Sequence, residues 1–168
     1  MKQKQTFTIS NDISLRRPCK ADFKFLARHM RPMDKRELYA THGRADAALL
    51  KRFAHSSTCC LTLCARGRVA GLAGIVPGGL PAPCACVWLL TARGVEKYPL
   101  GFFKAARAVL THFLSFYPTL YNYIDLRYPQ AVRFARMLGG HTAGHRVYIH
   151  GAPFQLFIFR RNQLWEEQ

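Results

Sequence analysis

The chain has 168 residues, 49% of them hydrophobic, which suits a single domain over 1–168 with a sizeable core. Lys and Arg number 25 against 9 Asp and Glu, and the resulting charge of +16 favours polyanions such as nucleic acid or a nucleotide's phosphates. No apolar run approaches the roughly 20 residues of a membrane-spanning helix, and no apolar segment of the secretory type follows the charged start, so a soluble, intracellular chain is expected.

Residues 6 to 17 alternate weakly through Phe7, Ile9, Ile13 and Leu15 and predict a first strand. Asp22 precedes Phe23, Leu26, Ala27 and Met30 at helical spacing, with Lys24, Arg28 and Arg31 outward, and Pro32 ends that helix. Asp34-Lys-Arg-Glu37 reads as a capping box opening a short helix that stops at Gly43. Residues 45 to 53 form a third helix with Leu49, Leu50 and Phe53 inward. Two apolar runs, 58–65 and 69–76, flank the turn signal Arg66-Gly67 and read as a hairpin. The proline-rich stretch 77–83 is a loop. Residues 84 to 92 are apolar on both faces and make a central strand covered on both sides.

A polar loop, 93–99, leads to the strongest helix, 101–117, whose stripe runs through Phe102, Phe103, Ala106, Val109, Leu110, Phe113 and Leu114. A strand over 120–126 follows. The next helix, 130–138, has Ala131, Phe134, Ala135 and Leu138 on one stripe, Arg133 and Arg136 off it, and Gly139 to close it. The segments 145–149 and 154–160 pair across Gly151-Ala-Pro153. The expected fold class is α/β of the α+β type: a mixed, mostly antiparallel sheet with helices on both faces. The strand–helix–strand unit from 84–92 to 120–126 is its parallel crossover.

Cys19, Cys59, Cys60, Cys64, Cys84 and Cys86 contain no C-x-x-C pair and fit a reducing compartment; buried free thiols are expected at Cys59, Cys60 and Cys64, in an apolar strand-like run. His141-x-x-x-His145 follows helix-ending glycines and heads into a strand, so no metal site is expected.

Several segments carry a family resemblance. They are Arg17-Pro-Cys-Lys-Ala-Asp22, Met30-Arg-Pro-Met-Asp-Lys-Arg-Glu37 with Ala40-Thr-His-Gly43, Val87-Trp-Leu-Leu90, Tyr121-Asn-Tyr123 leading to Arg133-Phe134 and Gly139, and Phe154-Gln-Leu-Phe157. Together they resemble the internal virion protein A family of phages and prophages, and the order of elements resembles a GNAT acyltransferase domain.

The resemblance implies an acetyl-CoA site. The coenzyme's pyrophosphate would meet amides at the start of the central helix, here Arg93, Gly94, Leu100, Gly101, Phe102 and Phe103. The family pattern Gln/Arg-x-x-Gly-x-Gly/Ala meets Lys97-Tyr-Pro-Leu-Gly101-Phe-Phe, which keeps one glycine, shifted by one position. Its pantetheine arm would pair with the main chain of Leu89, Leu90 and Thr91. The family places a carboxylate base on or near the central strand; 86–91 holds none, and Glu96 is the candidate in the following loop. Ala135 stands where the family carries a proton-donating Tyr, which leaves Tyr128 or Tyr123 for that role. Beside a prophage remnant that binds CoA and nothing else, two functions follow. One is an acetyl-CoA-dependent N-acetyltransferase with a degenerate site. The other is a non-catalytic internal virion or assembly protein, cytoplasmic or inside a phage particle, that touches DNA or virion proteins through its basic surface.

Overall fold

The structure, a computed structural model, describes residues 6–79 and 83–161. The charged start and part of the expected loop over 77–83 lie outside these residues. Eight strands form one sheet in the order β1-β2-β3-β4-β5-β6-β8-β7. They are β1 Thr6–Thr8, β2 Ile13–Arg16, β3 Cys59–Ala65, β4 Arg68–Pro77, β5 Cys84–Thr91, β6 Thr119–Asp125, β7 His141–Ile149 and β8 Ala152–Arg160. Every neighbouring pair is antiparallel except β5 and β6.

The single strand expected over 6–17 is in fact the hairpin β1–β2. Its turn is fixed by the Ile9 N–H on the Ile13 carbonyl (2.9 Å), an arrangement weak alternation does not encode. The β3–β4 turn falls at the expected Arg66-Gly67, both with positive φ (46° and 77°). That pair of left-handed residues matches the twist of a two-residue hairpin.

Three helices lie between β2 and β3: α1 Lys20–His29, α2 Pro32–His42 and α3 Ala47–Ser56. Leu26, Met30, Leu38, Leu49 and Leu50 pack on Leu72, Trp88 and Leu90 on one sheet face. The remaining helices, α4 Pro99–Phe116 and α5 Pro129–Met137, cover the other face. There Val109, Phe113, Leu114 and Leu138 meet Leu63, Ala73, Ala85 and Leu120. Successive β5 side chains therefore enter different cores, as its two-sided apolar pattern predicts.

Pro32 does not simply end α1. It is the first residue of α2, where its missing N–H costs nothing. Arg31 is consequently the cap, and the capping box expected at Asp34 and Glu37 does not form. Both carboxylates are free for other work.

The layers are tied by Asp22, 2% exposed. It accepts two bonds from Arg16 (2.6 and 2.8 Å), one from the Cys19 N–H (2.8 Å) and one from the Thr62 hydroxyl (2.9 Å), joining β2, α1 and β3. Burial pushes its acidity down, but Arg16, Cys19 and Thr62 outweigh it and lower the pKa to about 2. A folded pKa below the ordinary 3.8 means stability that is present above that pH and lost as pH falls toward 2. Asp22→Ala should cost about 3 kcal/mol or more in urea unfolding at pH 7 by stranding Arg16, and the loss should shrink below pH 3.

Candidate active site

Pairing between the two parallel strands lasts for three positions, Cys84↔Thr119, Ala85↔Leu120 and Cys86↔Tyr121. Beyond Cys86 the strands part. β5 continues along β4 to Thr91 while β6 follows β8 to Asp125. The opening is held apart by the start of α2. Asp34 accepts the Thr91 N–H (2.7 Å) and hydroxyl (2.8 Å), and the Arg31 N–H meets the Thr91 carbonyl (3.0 Å). The groups that would have paired with β6 are thereby satisfied from α2.

The ladder register decides which main-chain groups stay open. The Ala92 N–H bonds the Ala70 carbonyl, so the even residues of β5 face β4. Leu90 is among them, and its amide and carbonyl are taken by β4. Thr91 turns the other way and is taken by Asp34 and Arg31. Of the three residues expected to offer main chain, Leu89 is the one left facing the opening.

A cavity of about 480 Å³ passes from this opening to the α4–α5 face, lined by Val87, Leu89, Phe102, Phe103, Ala106 and Phe134, with Arg31, Asp34 and Glu37 at its other end. Phe102 stacks on Phe134 (5.3 Å between centroids), and Phe103 meets the same ring edge-on. The two phenylalanines thus build the cavity wall. A second cavity, also about 480 Å³, lies on the α2–α3 face and is lined by Thr41, His42, Phe53, Cys86 and Tyr123. Glu37, Trp88, Leu89 and Asn122 line both. The two spaces meet where the strands part.

Glu37 is the carboxylate at that junction. Among the described residues none donates a hydrogen bond to it. Burial, reinforced by the charges of Asp34 and Asp125 and opposed by Arg31, raises its pKa to about 8. Cys86 stands beside it, and burial together with the Glu37 charge pushes the thiol up to about 11, so it is neutral at pH 7. Sequence reading sought a carboxylate on the central strand and missed this one on the helix packed across it. The signal was available: residues three apart on a helix share a face, and the Asp34–Glu37 face is the one turned to β5.

The remaining expected residues divide by position. Glu96 lines the first cavity, and both its oxygens accept the Gly94 N–H (3.0 Å each). The Arg93 N–H is held by the His29 carbonyl (2.9 Å) and the Phe102 N–H by the Tyr98 carbonyl (2.8 Å). Leu100 is 77% exposed, and the amides of Leu100 and Gly101, at the start of α4, have no partner among the described residues. Gly101 is small for packing reasons: a Cβ there would meet Ile13 Cγ1 at 2.9 Å. Tyr128, the cap residue of α5, and Tyr123 part company: Tyr123 lines the second cavity and Tyr128 lines neither.

Solved structures share this architecture. Ribosomal-protein-S5-alanine acetyltransferase from Vibrio fischeri superposes with a TM-score of 0.67 at 12% identity, over 96% of this chain and 99% of its own. The fold is that of GNAT acetyltransferases. An acetyltransferase from Salmonella typhimurium that modifies the N-terminal serine of ribosomal protein L7/L12 gives 0.69 at 10% identity, over 93% and 99%. Spermidine N-acetyltransferase from Vibrio cholerae, solved in complex with CoA and spermine, gives 0.65 at 15%, over 92% and 99%. At such identities the likeness to GNAT proteins is one of fold. The sequence matches no family model and no curated protein.

The raised pKa of Glu37 makes a prediction independent of activity. Its charge is disfavoured in the folded state, so it costs stability as pH rises from the ordinary 4.5 toward 8, and in full above that. Glu37→Gln should therefore melt higher than the parent chain at pH 9, with the gap closing near pH 4; a calorimetric pH series checks it.

Proposed function

We propose that this chain transfers an acyl group from a coenzyme A thioester to an amine, with Glu37 as general base. One observation carries the reading: cavities on opposite sheet faces join at the parting of two parallel strands, with an unpartnered carboxylate on the shared wall. A transferase needs two substrates to meet from two directions at one base, and this junction provides for both.

The residues present fit the donor in part. Leu89 offers an open amide and carbonyl for the pantetheine arm, and the free amides of Leu100 and Gly101 sit at the positive end of α4. Glu96 works against that seat, because its carboxylate occupies the Gly94 amide in the loop leading to it. A bound acyl-CoA supplies the acyl group, activated as a thioester. Glu37 takes the proton from the incoming amine, and its pKa of about 8 makes it a stronger base than a solvent-exposed carboxylate. The carboxylates of Asp34 and Glu37 in an otherwise basic chain favour a cationic acceptor over an anionic one. Among the fold's neighbours, the spermidine N-acetyltransferase was solved with CoA and spermine, which agrees with an amine acceptor.

The phage reading draws support from the sequence resemblance and from the +16 charge. Its signature is an affinity for duplex DNA that falls steeply with salt.

Acetyl-CoA at about 100 times its dissociation constant should stabilise the chain by about 2.7 kcal/mol; no melting shift at millimolar acetyl-CoA contradicts the reading. With an amine acceptor, Glu37→Gln should lower kcat by about 100-fold or more and abolish the rise in rate toward pH 8. Glu96→Ala frees the Gly94 amide and should tighten CoA binding several-fold in a calorimetric titration.

A further inference from the structure

An acceptor reaches Glu37 from the α2–α3 face, and the open cleft there has a composition of its own. Rings with accessible surface stand around it: Phe53, half-buried on α3, His42 at the end of α2, and Tyr123 on β6, which is 37% exposed. Their orientations are fixed by neighbours. His42 meets Phe53 edge-on (5.0 Å between centroids), and Phe53 tilts against Trp88 (5.6 Å), whose indole N–H donates to the Ser57 hydroxyl (3.0 Å). Tyr123 meets Tyr121 of its own strand edge-on (6.5 Å). Partial burial and the Arg52 charge hold the His42 pKa below its ordinary 6.5, so at pH 7 the imidazole adds ring surface without charge.

Among the described residues, the ionised side chains on this wall are Glu37 and Arg52. Glu37 stands at the inner end, where the two cavities meet. Arg52 is exposed on α3, and no carboxylate among the described residues pairs with it. A single carboxylate seats a single ammonium. A polyamine would carry its further charges along a wall with no second carboxylate and past Arg52, which repels them. A flat ring following the amine would instead lie among Phe53, Tyr123 and His42, where offset and edge-on contacts are favourable.

We infer that the acceptor is an arylalkylamine: one primary amine on a short spacer from an aromatic ring, with the nitrogen at Glu37 and the ring among Phe53, Tyr123 and His42. The inference rests on the acyl-transfer reading above and names the acceptor class of that same site. Glu37 takes one proton from the ammonium, and the freed nitrogen bonds the acyl carbon. The carbon–sulfur bond breaks, and the departing thiolate takes the nitrogen's second proton. Glu37 then gives its proton to solvent.

The test compares kcat/KM for phenethylamine, ethylamine and spermidine with acetyl-CoA as donor at low ionic strength. Phenethylamine and ethylamine share the ammonium and differ by the ring, so phenethylamine should be favoured at least about 30-fold, the order expected for burying a phenyl group. It should also exceed spermidine by about 10-fold or more, because the cleft offers one carboxylate and one opposing cation. Equal values for phenethylamine and ethylamine, or spermidine as the best of the three, overturn the inference and leave the coenzyme A reading intact. Turnover of none of them overturns both. Tyr123→Leu should cut the phenethylamine-to-ethylamine ratio several-fold, and Arg52→Glu, at an exposed helix position, should raise the spermidine-to-phenethylamine ratio several-fold. A folded variant that keeps the parent ratio overturns the inference. If a variant does not fold, the unsubstituted chain decides: the phenethylamine ring should show nuclear Overhauser contacts to the Tyr123 ring, and ring contacts confined to other parts of the surface overturn it.

Discussion

Two parallel strands that begin together and separate after three pairs impose the condition around which the rest of this molecule is arranged. A strand that loses its neighbour must satisfy its amides and carbonyls by other means. Here the α1–α2 junction does so at Thr91 through Asp34 and the Arg31 amide, while Leu89 stays open. On the opposite face, Phe102 of α4 stacks on Phe134 of α5, and both rings wall the opening. The opening is therefore built and braced on both sides, with Glu37 set into it.

Electrostatics run against the chain's overall charge at this place. A +16 molecule positions Asp34, Glu37 and Asp125 near one another, and burial, reinforced by that crowding, keeps Glu37 easy to protonate. Asp125 is matched by Arg127 through its side chain (2.9 Å) and backbone N–H (3.0 Å), and Asp34 by Arg31 and Thr91. Glu37 alone of the three lacks a hydrogen-bond donor among the described residues. Such an asymmetry separates a carboxylate available to a substrate from those that hold the frame.

The fold was largely legible in the sequence because its signals are local. Continuous apolar runs marked β3 to β5, the stripe from Phe102 to Leu114 marked α4, and Gly43 and Gly139 marked helix ends, with φ of 68° and 83° in the structure. The hairpin β1–β2 escaped because strands of three and four residues carry no periodicity worth reading. The site was less legible, and for a physical reason. Asp34 and Glu37 have the spacing of a capping box, and only the position of Pro32 at the first turn shifts the cap to Arg31 and turns both carboxylates toward β5. Similarly, Glu96 looks like an available acid in the sequence, whereas in three dimensions it is spent on the Gly94 amide. Which of Leu89, Leu90 and Thr91 presents main chain depends on ladder register, which no single strand encodes.

Amide hydrogen exchange at Leu89 tests the central claim, that the strand opening is the place where ligand pairs with the sheet. In the free protein, Leu89 should exchange faster than Leu90, whose amide is bonded to β4, and an acyl-CoA should slow Leu89 selectively. A Leu89 amide already as protected as Leu90, or one unaffected by a thioester that binds elsewhere, would contradict it.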